Sequence, residues 1–176
     1  KIKFPYPVYK ATCFYTLHSE VATFPSSFKS KGIQNCSFKG GFDKNFVDKV
    51  KFLIDTGFNS ENPERQNDYT IIPREFTIKM LNKFIPEDDK VNDIEFLRVE
   101  ILGKKNNQNK KLVVYCKSVS NKKWNIPAGS WNTGTPPSII AQMLLNDDIT
   151  IKGVIPPELC VNSEIFFKEL EKRQIK

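Results

Sequence analysis

The chain contains one histidine, His18, two residues before Glu20. Imidazole is the side chain whose unperturbed pKa lies nearest neutrality, so His18 is the natural candidate for moving a proton. Glu20 could orient it or accept a substrate ammonium. The plainer alternative is a hydrogen-bonded structural histidine at a boundary between strand and turn. A second constellation is Thr133-Gly134-Thr135, followed by Pro136-Pro137-Ser138. It reads as a helix start, where unpaired N–H groups and a partial positive charge suit a carboxylate or phosphate. Capping alone would account for the same residues. Arg74 and Arg98 are the cations suited to clamp a carboxylate bidentately, although acidic neighbours of Arg98 make a cross-strand ion pair a strong competitor. Gly40-Gly41 would let a ligand approach the backbone closely, or would simply shape a turn or bulge. Trp124 and Trp131 could line a cleft lip, a dimer interface or a satellite core.

Other chemistries find no residues. One histidine and four dispersed cysteines, Cys13, Cys36, Cys116 and Cys160, provide no metal-ligand spacing, so no metal is expected. No Ser-His-Asp or Cys-His arrangement can be read, and no G-x-G-x-x-G follows the first strand, which excludes a dinucleotide cradle from this stretch. The net charge of +7 invites a nucleic-acid reading. The excess, however, is lysine spread among acids, with arginine only at Arg65, Arg74, Arg98 and Arg173. A phosphate footprint should cluster and favour arginine, so no nucleic-acid partner is expected. No apolar run approaches the roughly 20 residues that span a bilayer. Reduced thiols without a secretory signal point to the cytoplasm.

The elements that must position these residues follow from pattern. The 176 residues suit one domain of ordinary size. Tyr9 to Tyr15 reads as a strand, His18-Ser19-Glu20 as a polar turn, Val21 to Pro25 as an extended stretch, and Ile33 to Phe38 as a strand ended by the two glycines. Asp43 to Thr56 has helical periodicity, with Gly57 as its C-terminal cap. Asn59 to Asp68 reads as a surface loop, and Ile71-Ile72-Pro73-Arg74 leads into a second helix that runs through Phe84 and is stopped by Pro86. Alternation over Ile94 to Ile101 and Lys111 to Ser118 predicts a β-hairpin around a Gly103–Asn109 turn. Asn121 to Gly134 reads as a loop and a third helix is predicted from Thr135. Ile149 to Val154 reads as an extended segment, Pro156-Pro157-Glu158 as a turn, and Ser163 to Gln174 as a closing helix. Runs of strands with helices between blocks predict an α+β fold with a mixed, mostly antiparallel sheet.

The stretch from Thr133 to Leu144, with Ile149 to Glu158 and Phe166-Phe167-Lys168-Glu169-Leu170, resembles the ending of saccharopine dehydrogenase-family proteins, in particular the lysine 6-dehydrogenase-like branch. His18-Ser19-Glu20, Thr23-Phe24-Pro25, Phe38 to Phe42, Pro73-Arg74 and Glu95 to Glu100 fit the same resemblance. Asn132 departs from it, standing where many relatives would carry an acid. The resemblance implies an N-terminal domain binding NAD or NADP, which the start Lys1-Ile2-Lys3 suggests has been cut away, followed by this α+β domain. It further implies that residues 1–176 line the cleft of an amino-acid substrate and pair subunits into a homodimer through the sheet. Oxidation or formation of a C–N bond of a lysine- or saccharopine-type substrate is the implied chemistry. His18 and Glu20 are then the catalytic candidates, and Gly40, Gly41, Arg74, Arg98, Thr133, Gly134 and Thr135 the substrate-binding ones. The alternative is a non-catalytic binding or scaffold domain that keeps the fold.

Overall fold

The computed structural model describes residues 1–84 and 91–175. In chain order its elements are β1 (Ile2–Lys3), β2 (Lys10–Ala11), β3 (Cys13–Thr16), α1 (Ser19–Ser27), a short 3-10 turn at Lys29–Lys31, β4 (Phe38–Gly41), α2 (Lys44–Asp55), β5 (Glu64–Gln66), β6 (Tyr69–Ile71), α3 (Pro73–Asn82), β7 (Ile94–Lys105), β8 (Gln108–Val119), α4 (Ala128–Leu145), α5 (Pro157–Cys160) and α6 (Ser163–Lys172). Every described strand pairing is antiparallel and two-stranded: β1 with β2, β3 with β4, β5 with β6, β7 with β8. The fold class is the expected α+β, with helices and small antiparallel sheets.

The chain divides into two compact units. The first comprises Lys1–Leu17 and Phe38–Asp88. Its main helix, α2, is bounded by local chemistry. The Asp43 carboxylate accepts from the Phe46 N–H at 3.1 Å, a side-chain N-cap. At the other end Gly57, at φ 82°, lets its own N–H reach Ile54 O and the Phe58 N–H reach Leu53 O, a Schellman closure. The predicted loop Asn59–Asp68 instead contains β5, which returns through Asn67 at φ 55° into β6. α3 begins at Pro73, as proline at the first position favours. Pro86, its predicted stop, lies outside the described residues.

The second unit comprises His18–Ser37 and Asp89–Lys176. Its longest hairpin runs further than alternation alone suggested. β7 and β8 pair from Ile94↔Val119 to Lys105↔Gln108, leaving Asn106 and Asn107 as the turn. Both have positive φ, 53° and 58°, the backbone of a two-residue type I′ turn, which asparagine tolerates well. The register gives the ribbon two unlike faces. One carries Leu97 and Cys116, Val99 and Val114, Ile101 and Leu112; the other carries Arg98, Glu100, Tyr115 and Lys111.

The core of this unit is built by α4 and α6. Ile139 and Met143 on α4 are buried with Ile149, and Cys160, Val161, Ile165, Phe166 and Leu170 pack around them. Residues buried along α4, namely Ala128, Asn132, Thr135, Ile139 and Met143, recur at spacings of three and four, a single helical stripe. α6 starts at Asn162, whose side-chain oxygen accepts from the N–H groups of Glu164 and Ile165 at 3.0 and 3.3 Å.

Several expectations fail here, among them the strand at Ile33 to Phe38, of which only Phe38 is in a strand. Val21 to Pro25 lies in α1 and is not extended. Ile149 to Val154 forms no strand, and Pro157-Glu158 opens the short α5. The third helix begins at Ala128, seven residues before Thr135, so Pro136 and Pro137 lie inside it.

Candidate functional site

His18 and Glu20 do come together. His18 is the N-cap residue of α1, with extended backbone and no capping side-chain bond of its own. Its Nδ1 is hydrogen-bonded to Glu20 Oε2, with both side chains partly exposed. Burial pushes the Glu20 carboxyl up, but its bonds to His18 and to the backbone, with the imidazole charge and Ser19, outweigh that and hold it below the usual range. An ionised carboxylate on Nδ1 fixes the ring orientation. The Cys36 thiol donates to the Glu20 backbone carbonyl at 3.7 Å, and Ser27 Oγ, at the far end of α1, donates to Glu158 Oε1 at 2.7 Å. Glu158 was absent from the sequence-derived candidates. Only its partnership with a serine 131 residues away marks it, and a one-dimensional pattern carries no such signal.

The arginines have partners already. On the hairpin Arg98 bonds Glu100 and the Tyr115 hydroxyl, and Lys111 reaches Glu100 at 3.1 Å. Arg98 is thus held in an ion pair along its own strand, and the cross-strand ion pair on this face is Lys111 with Glu100. The Tyr115 and Glu100 bonds and the Glu100 charge raise its already high pKa against a small burial cost, so it stays charged and occupied. In the other unit Arg74 pairs with Glu61.

Gly40 and Gly41 do not form a turn after a strand. Both are in β4, where Gly40 pairs with Phe14 and Gly41 with Cys13. Neither has positive φ; the glycines that do are Gly32, Gly57 and Gly153. A Cβ on Gly40 would fall on the ring of Phe42, so the close approach that glycine allows is made by an aromatic side chain of the same segment.

Thr133, Gly134 and Thr135 lose the physical basis of an anion site. They lie in the second turn of α4, whose N–H groups are spent on the helix. Thr133 Oγ1 bonds back to the Gly129 carbonyl at 2.8 Å, Thr135 is buried, and Thr133 and Gly134 are exposed. The N–H at the true head of the helix, Ala128, donates to Asp93 Oδ1 at 2.8 Å.

Trp124 and Trp131 pack edge to face at 5.4 Å between ring centroids, and the Trp131 indole N–H donates to the Arg173 carbonyl at 3.4 Å. Trp131 is half-buried, as in a satellite core, whereas Trp124 remains 59% exposed. Asn132, the departure noted in the sequence, is buried and donates to Glu95 Oε2 at 2.5 Å.

Among the described residues no group of three or more His, Cys, Asp and Glu could hold a metal ion. No helix among them is long and apolar enough to cross a membrane. The expected resemblance is met along almost the whole sequence: the model of the saccharopine dehydrogenase C-terminal domain matches residues 1–175, and the chain belongs to that family.

Proposed function

We propose that this domain forms the substrate-side wall and the subunit-pairing surface of an NAD(P)-dependent oxidoreductase that acts on a C–N bond of a lysine- or saccharopine-type amino acid. The observation that carries the reading is the family match over residues 1–175, which associates the chain with oxidoreductases. The described residues do not fit a dinucleotide. No strand among them leads through a glycine-rich turn into a helix, and the adjacent glycines Gly40 and Gly41 are extended within β4. The cofactor is therefore assigned to another domain, and hydride transfer is the chemistry it supplies there. What this chain contributes is acid–base capacity: His18, held at Nδ1 by Glu20, exchanges the amine proton.

Pairing with a second copy is supported by the β7–β8 ribbon. A two-stranded ribbon is marginal alone, and its aliphatic face remains uncovered, with Val99 53% and Ile101 54% exposed. A second copy of that face would bury it symmetrically.

The test is nicotinamide reduction, with lysine and with saccharopine, by the protein that carries this domain together with a nucleotide-binding domain. His18→Gln is expected to lower kcat on the order of 100-fold, within the range for general acid–base groups. Val99→Lys is expected to shift the protein toward monomer in sedimentation. Residues 1–176 alone should show no turnover. Wild-type kcat in His18→Gln would remove the catalytic assignment. Absence of any amine-dependent reduction would favour the scaffold alternative, for which the prior engagement of Arg74 and Arg98 by carboxylates speaks.

A further inference from the structure

Helix α1 has little to hold it from within. It is nine residues long, lacks a side-chain N-cap bond, and contains Pro25, which removes a rung of the hydrogen-bond ladder. Yet its first turn carries the His18–Glu20 pair. Glu20, Thr23 and Ser27 recur at spacings of three and four and so share one face, and Glu158 at the start of α5 meets that face. Ser27 Oγ donates to Glu158 Oε1 at 2.7 Å. The Glu20 charge acts on the same carboxylate. Burial pushes the Glu158 carboxyl up, and Glu20 adds to that. The bonds from Ser27, the Glu158 backbone and Thr23 prevail, so Glu158 is ionised below the usual carboxylate range. The Cys36 thiol holds the Glu20 carbonyl.

We propose that Glu158 is the positioning residue for the His18–Glu20 pair. Through Ser27 it fastens the helix that bears the pair. Its consequence for activity rests on the proposed role of His18; the positioning itself does not.

The single histidine makes the test direct, because the chain yields one set of imidazole nitrogen signals. In Glu158→Ala the His18 ring should lose its fixed Nδ1 bond, and its nitrogen shifts should move toward those of a free imidazole with averaged tautomers. In the protein that also carries the nucleotide-binding domain, kcat should fall on the order of tenfold or more, with KM less affected. Glu158→Gln keeps an acceptor for Ser27 but loses the charge, and should give an intermediate displacement of the imidazole signals. Should Glu158→Ala fail to fold, Glu158→Gln and Ser27→Ala carry the test with the same expected direction. Unmoved imidazole signals in folded variants overturn the proposal, even if activity drops. Moved signals combined with full activity of His18→Gln would uphold the positioning and sink only the catalytic reading of His18.

Discussion

The carboxylate of Asp93 accepts a hydrogen bond from the backbone N–H of Ala128 at 2.8 Å, so the residue before β7 supplies the cap at the head of α4. The same aspartate is tied to the far end of the hairpin: its N–H donates to Ser120 Oγ at 3.3 Å, and its carbonyl accepts from the Ser120 N–H at 3.1 Å. Hairpin base and helix head thus form one node.

Removing that carboxylate leaves a helix donor unpaired beside fully buried Ala128. Asp93→Ala should destabilise the protein by about 1–2 kcal/mol, as loss of an N-cap does, and Asp93→Asn by less. The shift in urea midpoint at constant slope measures it. An unchanged midpoint would show that the cap has no energetic role.

Asn132 and Glu95 form a second junction between α4 and β7. Asn132→Ala strands a part-buried carboxylate and should cost roughly 1–3 kcal/mol. Asn132→Asp sets two carboxyls against each other, so at least one pKa must rise above its unfolded value. With a raised folded pKa the variant binds extra protons when folded and gains stability as the pH falls. Its thermal midpoint relative to wild type should be lower at pH 7 than at pH 5; the reverse order would refute the pairing.

Met143 is 2% exposed within the α4–α6 core, whereas Leu145, two residues on, is 84% exposed. Truncation to alanine should therefore cost about 2–5 kcal/mol at Met143 and within about 0.5 kcal/mol at Leu145. Equal losses at the two positions would mean that α4 faces another way.

Glu20 titrates below the ordinary carboxylate range in the folded protein, because its bonds to His18 and the backbone overcome a burial cost. A depressed folded pKa contributes stability that is fully present above the unfolded value, about 4.3, and is lost as the pH falls through the lower folded value. Wild type should therefore lose stability more steeply than Glu20→Gln across that acidic window. Parallel acid-unfolding curves would show that the His18 bond does not persist in solution.

Where structure was written locally, the sequence sufficed. The β7–β8 ribbon alternates residue by residue, α2 carries its own cap at Asp43 and its own stop at Gly57, and α6 starts on Asn162. The family, too, was legible in the residues themselves. The site was legible only in part. His18 and Glu20 are two residues apart and find each other in the first turn of α1, while Arg98 showed its ion-pair alternative through neighbouring acids.

Tertiary contacts decided the rest. The start of α4 was hidden because Gly129, Gly134, Pro136 and Pro137 weaken any local helical signal, and the acceptor for its first N–H lies 35 residues upstream on Asp93. α1 was hidden because Val-Ala-Thr-Phe-Pro favours extended backbone when read alone, whereas the bonds from Ser27 to Glu158 and from Cys36 to Glu20 secure it as a helix. Local pattern records what a segment prefers in isolation; the groups that satisfied these two segments' hydrogen bonds came from elsewhere in the chain, and only folding brought them there.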